Sequence, residues 1–430
     1  MTLMSACSAS PGGSYVIEDD DATPDADPDE DGGRSSSSSS SSSGAAADAS
    51  VPVDARPDAT ADAGEIVDAG EADAGDAGED GGPVVQPVLL RLEGRWDRSN
   101  PAVPRTAYPG ARIAFGFQGT GVTLRLSERP SYRSGFGTSQ YTVTIDGQPA
   151  PTLVTAIAGT VEEARDYPLV EGLAAGHHTV QLSRRTEAEF GSTGLVEIRV
   201  TGGGLAEAPP ARLHRLEIVG DSNTTGYGIE EARPCTNTAS NENWNKTFPA
   251  LLASRFDAEV QTVSHSGKGV LYNSSIGDPV NLDVLYGLAI PSEPASFFVP
   301  SSFPAEAVVV LAGGNDFLNQ FPSLDEFQTA YEALIDKIVL AHPDATVFCT
   351  VSPGIYDYQN PDRPVRSTVR AGIQGAVASR LALGQKVVFH EFPAASGEEL
   401  NACDYHSTAE HHAQLASAIG ELMATTLAWP

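Results

Sequence analysis

Basic residues are scarce in this chain. Against 57 Asp and Glu there are 26 Lys and Arg, a formal net charge of −31. No basic patch interrupts the acidic background, and an acidic surface repels phosphate, so nucleic acid is excluded as a partner. Long apolar runs are missing as well: none approaches the ~18 residues a membrane-spanning helix needs. Cysteine is rare, with four in 430 residues. No Cys/His spacing has the pattern of a zinc site, and no metal or other cofactor is predicted.

The acidity is uneven. Residues 1–83 hold 20 acidic side chains and 2 arginines, leaving an ordinary balance for the rest. Within residues 1–86 the Ser35–Ser43 run and the Asp-Ala-Gly repeats bring almost no large apolar side chains. Such a segment cannot offset the entropy of folding, so a disordered, self-repelling tether is expected there. At its start, Leu3-Met4-Ser5-Ala6-Cys7 resembles the end of a bacterial lipobox, although a charged start and a full apolar region are missing. That likeness implies lipidation of Cys7 and an exported protein, at the cell surface or secreted, that meets a membrane only through this anchor. The alternative is a free cysteine in a loose end.

Residues 87–204 change character. Ile113 to Phe117, Val122 to Leu126, Tyr141 to Ile145, His178 to Leu182 and Val196 to Val200 alternate apolar and polar. Period two with Gly, Pro and Asp breaks predicts antiparallel strands, and Asp146-Gly147 is a hairpin signal. A β-sandwich of jelly-roll type follows. Its role reads as packing or positioning, with glycan binding through Trp96 or Tyr132 as the alternative. Gly202, Gly203 and Gly204, with Pro209-Pro210, read as a linker.

From residue 211 to 430 strands and helices alternate. Strands are predicted at 213–219, 260–264, 306–312, 346–351 and 386–390. Helices are predicted at 244–256, 323–341, 364–382 and 408–427. Alternation of this kind builds a three-layer α/β/α domain on a parallel sheet. Sites in such sheets form at the carboxyl ends of the strands.

Three motifs fall at those ends. Gly220-Asp221-Ser222 closes the first strand, Gly313-Gly314-Asn315-Asp316 the third, and Asp404-Tyr405-His406 precedes the last helix. Each is weak alone. A serine, an asparagine and an Asp-x-His in this order resemble the SGNH or GDSL hydrolases. Gly94-Arg95-Trp96-Asp97, Tyr108-Pro109-Gly110, the run from Gly172 to Val180, and Arg184 to Ala188 are similar to the sandwich that precedes the SGNH domain in carbohydrate esterase family 2. The likeness spans about residues 90–428.

The resemblance implies a serine esterase. Ser222 would be the nucleophile, His406 its base and later the acid, and Asp404 the group that orients the imidazole. The N–H groups of Ser222 and Gly267 and the side-chain amide of Asn315 would hold the oxyanion, with Gly269 a near rival for Gly267. His411 and His412 are rivals for the base, inside the last helix. Asp221 and Asp316 read as turn or cap residues. Gly314 and Ser407 depart from the family, which often has threonine and proline there, and its aspartate is not always present.

Substrate also comes from the resemblance: family members remove acetyl groups from wall polysaccharides such as xylan and mannan. Tyr405, Trp244 and Tyr272 are candidate platforms for a sugar ring, with core packing the alternative. A monomer acting on acetylated polysaccharide is expected. The competing readings are a GDSL-type lipase or thioesterase on longer acyl chains, and a surface glycan-binding protein without catalysis. Cys235 follows the nucleophile turn and Cys403 directly precedes Asp404, so both should lie at the site rim, and a Cys235–Cys403 bridge is predicted. Cys349, in an apolar strand, reads as a buried free thiol.

Overall fold

The computed structural model describes residues 87–157, 159–357 and 364–430. The acidic tether and Cys7 lie outside the described residues. The first part is built from ten strands: β1 (Leu90–Glu93), β2 (Arg105–Thr106), β3 (Arg112–Gly119), β4 (Gly121–Arg129), β5 (Gln140–Ile145), β6 (Gln148–Val154), β7 (Glu163–Val170), β8 (Gly176–Arg184), β9 (Ser192–Thr201) and β10 (Gly204–Ala206). One sheet runs β1-β3-β8-β5-β6, with β10 also on β3, and the other runs β2-β9-β4-β7. The predicted alternation is what closes them. Phe115 and Phe117 of β3, Leu124 and Leu126 of β4, Val143 of β5 and Leu182 of β8 turn into one shared apolar cluster. Asp146 and Gly147 both take positive φ, 52° and 74°, in the β5–β6 hairpin.

Two expectations for this part are corrected. The glycine run at 202–204 is not a linker: Gly202 turns the chain at φ 74° and β10 returns to pair with β3. A side chain on Gly203 would meet Gln118 O at 1.9 Å. Trp96 is no glycan platform either. It is 4% exposed, packs in the sandwich core and donates its indole N–H to Glu93 O at 2.8 Å. Tyr132 does keep its ring exposed.

The second part holds β11 (His214–Gly220), α1 (Ser222–Thr225), α2 (Phe248–Arg255), β12 (Ala258–Ser264), α3 (Leu282–Leu285), β13 (Ala307–Leu311), α4 (Leu324–Ala341), β14 (Thr346–Val351), α5 (Val365–Ala382), β15 (Val387–Glu391) and α6 (Ala409–Leu427). Five parallel strands lie in the order β12-β11-β13-β14-β15. Their near-continuous apolar runs serve two faces. Val308 and Val310 pack with Leu334 and Ile338 of α4 and Ile373 of α5. Ala307, Val309 and Leu311 pack with Leu252 of α2 and Leu415 and Ile419 of α6. Ser323 and Glu326 form a capping box that starts α4. The helix predicted from residue 244 begins only at Phe248, because Pro249 fits only the first turn. Residues Trp244–Lys246 form a separate 3-10 turn capped by Asn243.

One buried ion pair fastens the sandwich part to the sheet. Arg95 and Glu217, both fully buried, approach to 3.3 Å. Arg95 also donates to the carbonyls of Tyr286 at 2.8 Å and Leu288 at 3.2 Å, while Glu217 accepts from Tyr286 Oη at 2.7 Å and Gln261 Nε2 at 2.7 Å. Burial alone would raise the Glu217 carboxyl, but the His342 contact and the Arg95 charge outweigh it and hold the group below its ordinary value of 4.5. Its stabilisation is therefore complete above that pH and is lost as the pH falls through the lowered value. Replacing Arg95 by Met leaves a buried carboxylate without its cation, and should lower unfolding free energy at neutral pH by about 3–5 kcal/mol. Urea titration followed by fluorescence measures this, and an unchanged midpoint would contradict it.

Candidate active site

In the parallel register Gly220 lies beside Ser264 and Leu311, and Leu311 beside Thr350, so the strand ends open onto one edge. The turn after β11 has no room for a larger residue at 220, where a Cβ would come within 2.6 Å of Thr224 Oγ1 and 2.9 Å of Leu311 O. Asp221 caps α1 by accepting the N–H of Asn223 at 3.0 Å. Burial, with Asp316 nearby, pushes its carboxyl up to about 6. Ser222 is thereby fixed as the first residue of α1.

His406 Nε2 lies 2.8 Å from Ser222 Oγ. The other ring nitrogen, Nδ1, faces Cys403 O at 3.0 Å. A backbone carbonyl only accepts, so Nδ1 carries the proton and Nε2 offers its lone pair to the serine hydroxyl. Burial pushes the imidazole down to about 4, opposed by the Cys403 carbonyl and the Asp404 charge. The ring is thus neutral at neutral pH, as a proton acceptor must be.

Asp404, expected to orient the imidazole, engages the ring's neighbour Tyr227. Asp404 Oδ2 accepts the hydroxyl of Tyr227 at 2.8 Å, and the Tyr227 ring stacks on His406 with centroids 4.2 Å apart. Asp404 sits at φ 50° and Tyr405 at φ 62°. In that left-handed turn the Cys403 carbonyl faces Nδ1, and the Asp404 charge and main chain also act on the imidazole.

Asn315 lines the pocket beside Ser222. Its amide donates to Lys268 O at 2.9 Å and lies 3.5 Å from Asp221 Oδ2. Gly267, at φ 76°, follows Ser266, whose hydroxyl is 3.4 Å from Thr225 Oγ1 of α1. Gly267 also lines a neighbouring cavity of about 300 Å³ that reaches Tyr132 and Glu189 of the sandwich part. Gly269 directs its N–H to Asn273 Oδ1 at 3.1 Å. Asp316 caps a turn, as expected: it accepts the N–H groups of Val270, Leu271 and Tyr272 at 2.6 to 3.0 Å and so ties down the segment after Gly269.

The pocket at Ser222 is small, about 50 Å³, with Phe317, Leu318, Ile355 and Val365 as its apolar wall and Tyr356 and Tyr405 among its polar lining. Tyr405 is half-buried, with the Arg233 guanidinium 4.1 Å over its ring. Trp244 is corrected as a substrate platform. It is 4% exposed, packs in the core beneath α2, and lies against Gly110, where a Cβ would meet its ring at 2.7 Å. Tyr272 is half-buried and is not among the residues lining the pocket. Of the rival histidines, His411 contacts Ser407 Oγ at 3.0 Å, and buried His412 accepts the N–H of Phe248 at 3.3 Å. Cys235 and Cys403 form a disulfide with Cα atoms 5.0 Å apart. Cys349 is a buried free thiol, pushed up to about 12 by burial. Among the described residues no helix is long and apolar enough to cross a membrane.

Comparison with known proteins gives this geometry a family. Residues 92–210 match the carbohydrate esterase 2 N-terminal domain, and residues 218–414 match the GDSL-like lipase/acylhydrolase family. The chain is 29% identical over 344 residues to the cellulase/esterase CelE of Acetivibrio thermocellus, covering 79% of this chain and 40% of that protein. It is 22% identical to an acetylxylan esterase/glucomannan deacetylase of Cellvibrio japonicus, over 79% of this chain and 89% of that protein. Among solved structures, a family two carbohydrate esterase from Clostridium thermocellum in complex with cellohexaose superposes with a TM-score of 0.71 at 26% identity, covering 79% of this chain and all of that one. A family 2 enzyme from Corynascus thermopiles gives 0.67 at 30% identity with the same coverage. The chain belongs to carbohydrate esterase family 2.

Two contributors escaped sequence reasoning. Tyr227 stands in the nucleophile stretch and carried no more signal than a loop aromatic. The Cys403 carbonyl has no sequence signature at all. The neutral imidazole sets the pH response: ester cleavage should persist below neutral pH and fall on the acid side through an apparent pKa of about 4. A profile of kcat/KM against pH checks this, and an acid limb at the ordinary histidine value of 6.5 would contradict it.

Proposed function

We propose that the chain is a serine esterase that removes O-acetyl groups from plant-wall polysaccharide such as xylan or glucomannan. The observation that carries this is the 2.8 Å contact between Ser222 Oγ and His406 Nε2, with Ser222 lining a small pocket of mixed polar and apolar residues. Ser222 Oγ attacks the acetyl carbonyl while His406 Nε2 takes its proton. The oxyanion is held by Asn315 Nδ2 and the N–H groups of Ser222 and Gly267. His406 returns the proton to the departing sugar oxygen, leaving an acetyl-enzyme. Water, deprotonated by the same nitrogen, then releases acetate. Asp404 supports the imidazole by charge and through Tyr227, and Tyr405 offers its ring to the sugar beside the ester. The size of the pocket favours acetate over the longer acyl chains of a lipase. The substrate follows the Cellvibrio relative, an acetylxylan esterase/glucomannan deacetylase, and the cellohexaose bound in the Clostridium structure.

Export belongs to the same proposal, with lipid anchoring through Cys7 and a monomeric chain. The Cys235–Cys403 disulfide supports an oxidising compartment.

Acetate released from acetylated xylan and acetylated glucomannan, by the full chain and by its Ser222→Ala variant, tests the reading. Release by the parent and a loss of about a thousandfold or more in the variant are expected. Cleavage of long-chain esters with no acetate release would move the assignment to a lipase. Polysaccharide binding without any ester cleavage would move it to a binding protein.

A further inference from the structure

The segment after β12, residues 265–269, is gripped from outside its own α/β layer. Glu187 stands in the turn that follows β8 of the sandwich part and is fully buried. One of its carboxylate oxygens accepts the Ser266 N–H at 2.7 Å, and the other accepts the Ser266 hydroxyl. The Glu187 N–H in turn donates to Glu242 Oε1 at 2.5 Å, Glu242 accepts from Asn237 Nδ2 at 3.0 Å, and Asn237 Oδ1 takes the N–H of Gly228 at 2.9 Å. A continuous chain of hydrogen bonds therefore runs from the sandwich to both segments that flank Ser222.

This is a costly place for a carboxylate. Burial, with the charges of Glu189 and Glu242 close by, raises the Glu187 carboxyl well above the usual range. His265, 3.7 Å away, is pushed down to about 4 by burial and the Lys268 charge, so at neutral pH it brings no compensating charge. A packing role alone would be met by an apolar residue at lower cost. What Glu187 obtains instead is a two-point hold on the residue next to Gly267. The same segment supplies Lys268 O, the acceptor of the Asn315 amide at 2.9 Å, and its Ser266 hydroxyl lies 3.4 Å from Thr225 of the nucleophile helix.

We propose that Glu187 is a positioning residue for the oxyanion hole: through Ser266 it fixes residues 265–269, and so aims both the Gly267 N–H and the Asn315 amide. The sandwich part is then a working component of the esterase site. This rests on the esterase reading above.

Steady-state kinetics on 4-nitrophenyl acetate, with the full-length chain and its Glu187→Gln, Ser266→Ala, doubly substituted and Ser222→Ala variants, test it. Glu187→Gln keeps an acceptor for the Ser266 N–H but removes the carboxylate and turns an NH2 group toward the Ser266 hydroxyl, which must then accept rather than donate. The expected result is a fall in kcat of about 10- to 100-fold with KM within about twofold, because the lost alignment matters in the transition state. Ser266→Ala should lower kcat roughly fivefold or more. The double variant should be no worse than the poorer single one, since both act through one contact. If Glu187→Gln fails to fold, Ser266→Ala decides alone. Wild-type kcat in the folded Ser266→Ala protein, or a lower melting temperature of Glu187→Gln with wild-type kcat, overturns the proposal while leaving the esterase reading intact. A wild-type rate equal to that of Ser222→Ala overturns the esterase reading, and this inference with it.

Discussion

The site depends on one hydrogen bond, from His406 Nδ1 to the main-chain carbonyl of Cys403, 3.0 Å long. It sets the tautomer and the tilt of the ring, and so presents Nε2 to Ser222. The surrounding loop is built to keep that carbonyl still. The disulfide ties Cys403 to Cys235, and the Cys403 side chain packs so closely on Gly228 that a Cβ there would come within 2.3 Å. Ala402 N–H donates to His406 O at 3.2 Å and His406 N–H to Cys403 O at 3.1 Å. Two non-glycine residues in the left-handed region, Asp404 and Tyr405, carry about 1–3 kcal/mol of strain each. Strain of that size persists only where the surroundings fix the backbone, which the disulfide and the Tyr227 stack do here.

The sandwich and the α/β layers are not two independent modules joined by a tether. Arg95 reaches from the first into the second to pair with Glu217. Trp244 packs under Gly110, and its main-chain N–H donates to Arg185 O at 2.9 Å. Tyr108 Oη donates to Leu285 O at 3.1 Å. These contacts bury polar groups with partners on the opposite part, so either part alone would expose unpaired donors and acceptors. The sandwich and the α/β layers accordingly fall in one compact unit.

Much of this was legible in the sequence, because it follows from periodicity and from where strands end. Alternation in residues 113–117 and 122–126 marked β3 and β4, and apolar runs ahead of Ser222 and Asn315 marked β11 and β13. What failed to read were matters of direction. Asp404 is two residues from His406, but a left-handed turn lies between them, and nothing in Asp-Tyr-His announces positive φ. Trp244 falls inside the helix predicted at 244–256, whereas Pro249 starts the helix later and the indole is buried. Glu187 lay within a phrase that resembled the family, yet its partner Ser266 is 79 positions away. Contacts at such separation leave no local pattern.

The most direct test of the account is kcat/KM of Asp404→Asn beside His406→Ala. Asparagine tolerates the left-handed backbone at 404, so the loop is preserved while the charge is removed. If the Cys403 carbonyl orients the imidazole, Asp404→Asn should lose less than about tenfold, and His406→Ala about a thousandfold or more. An Asp404→Asn enzyme as inactive as His406→Ala, with its fold intact, would contradict the account and return the aspartate to the centre of the mechanism.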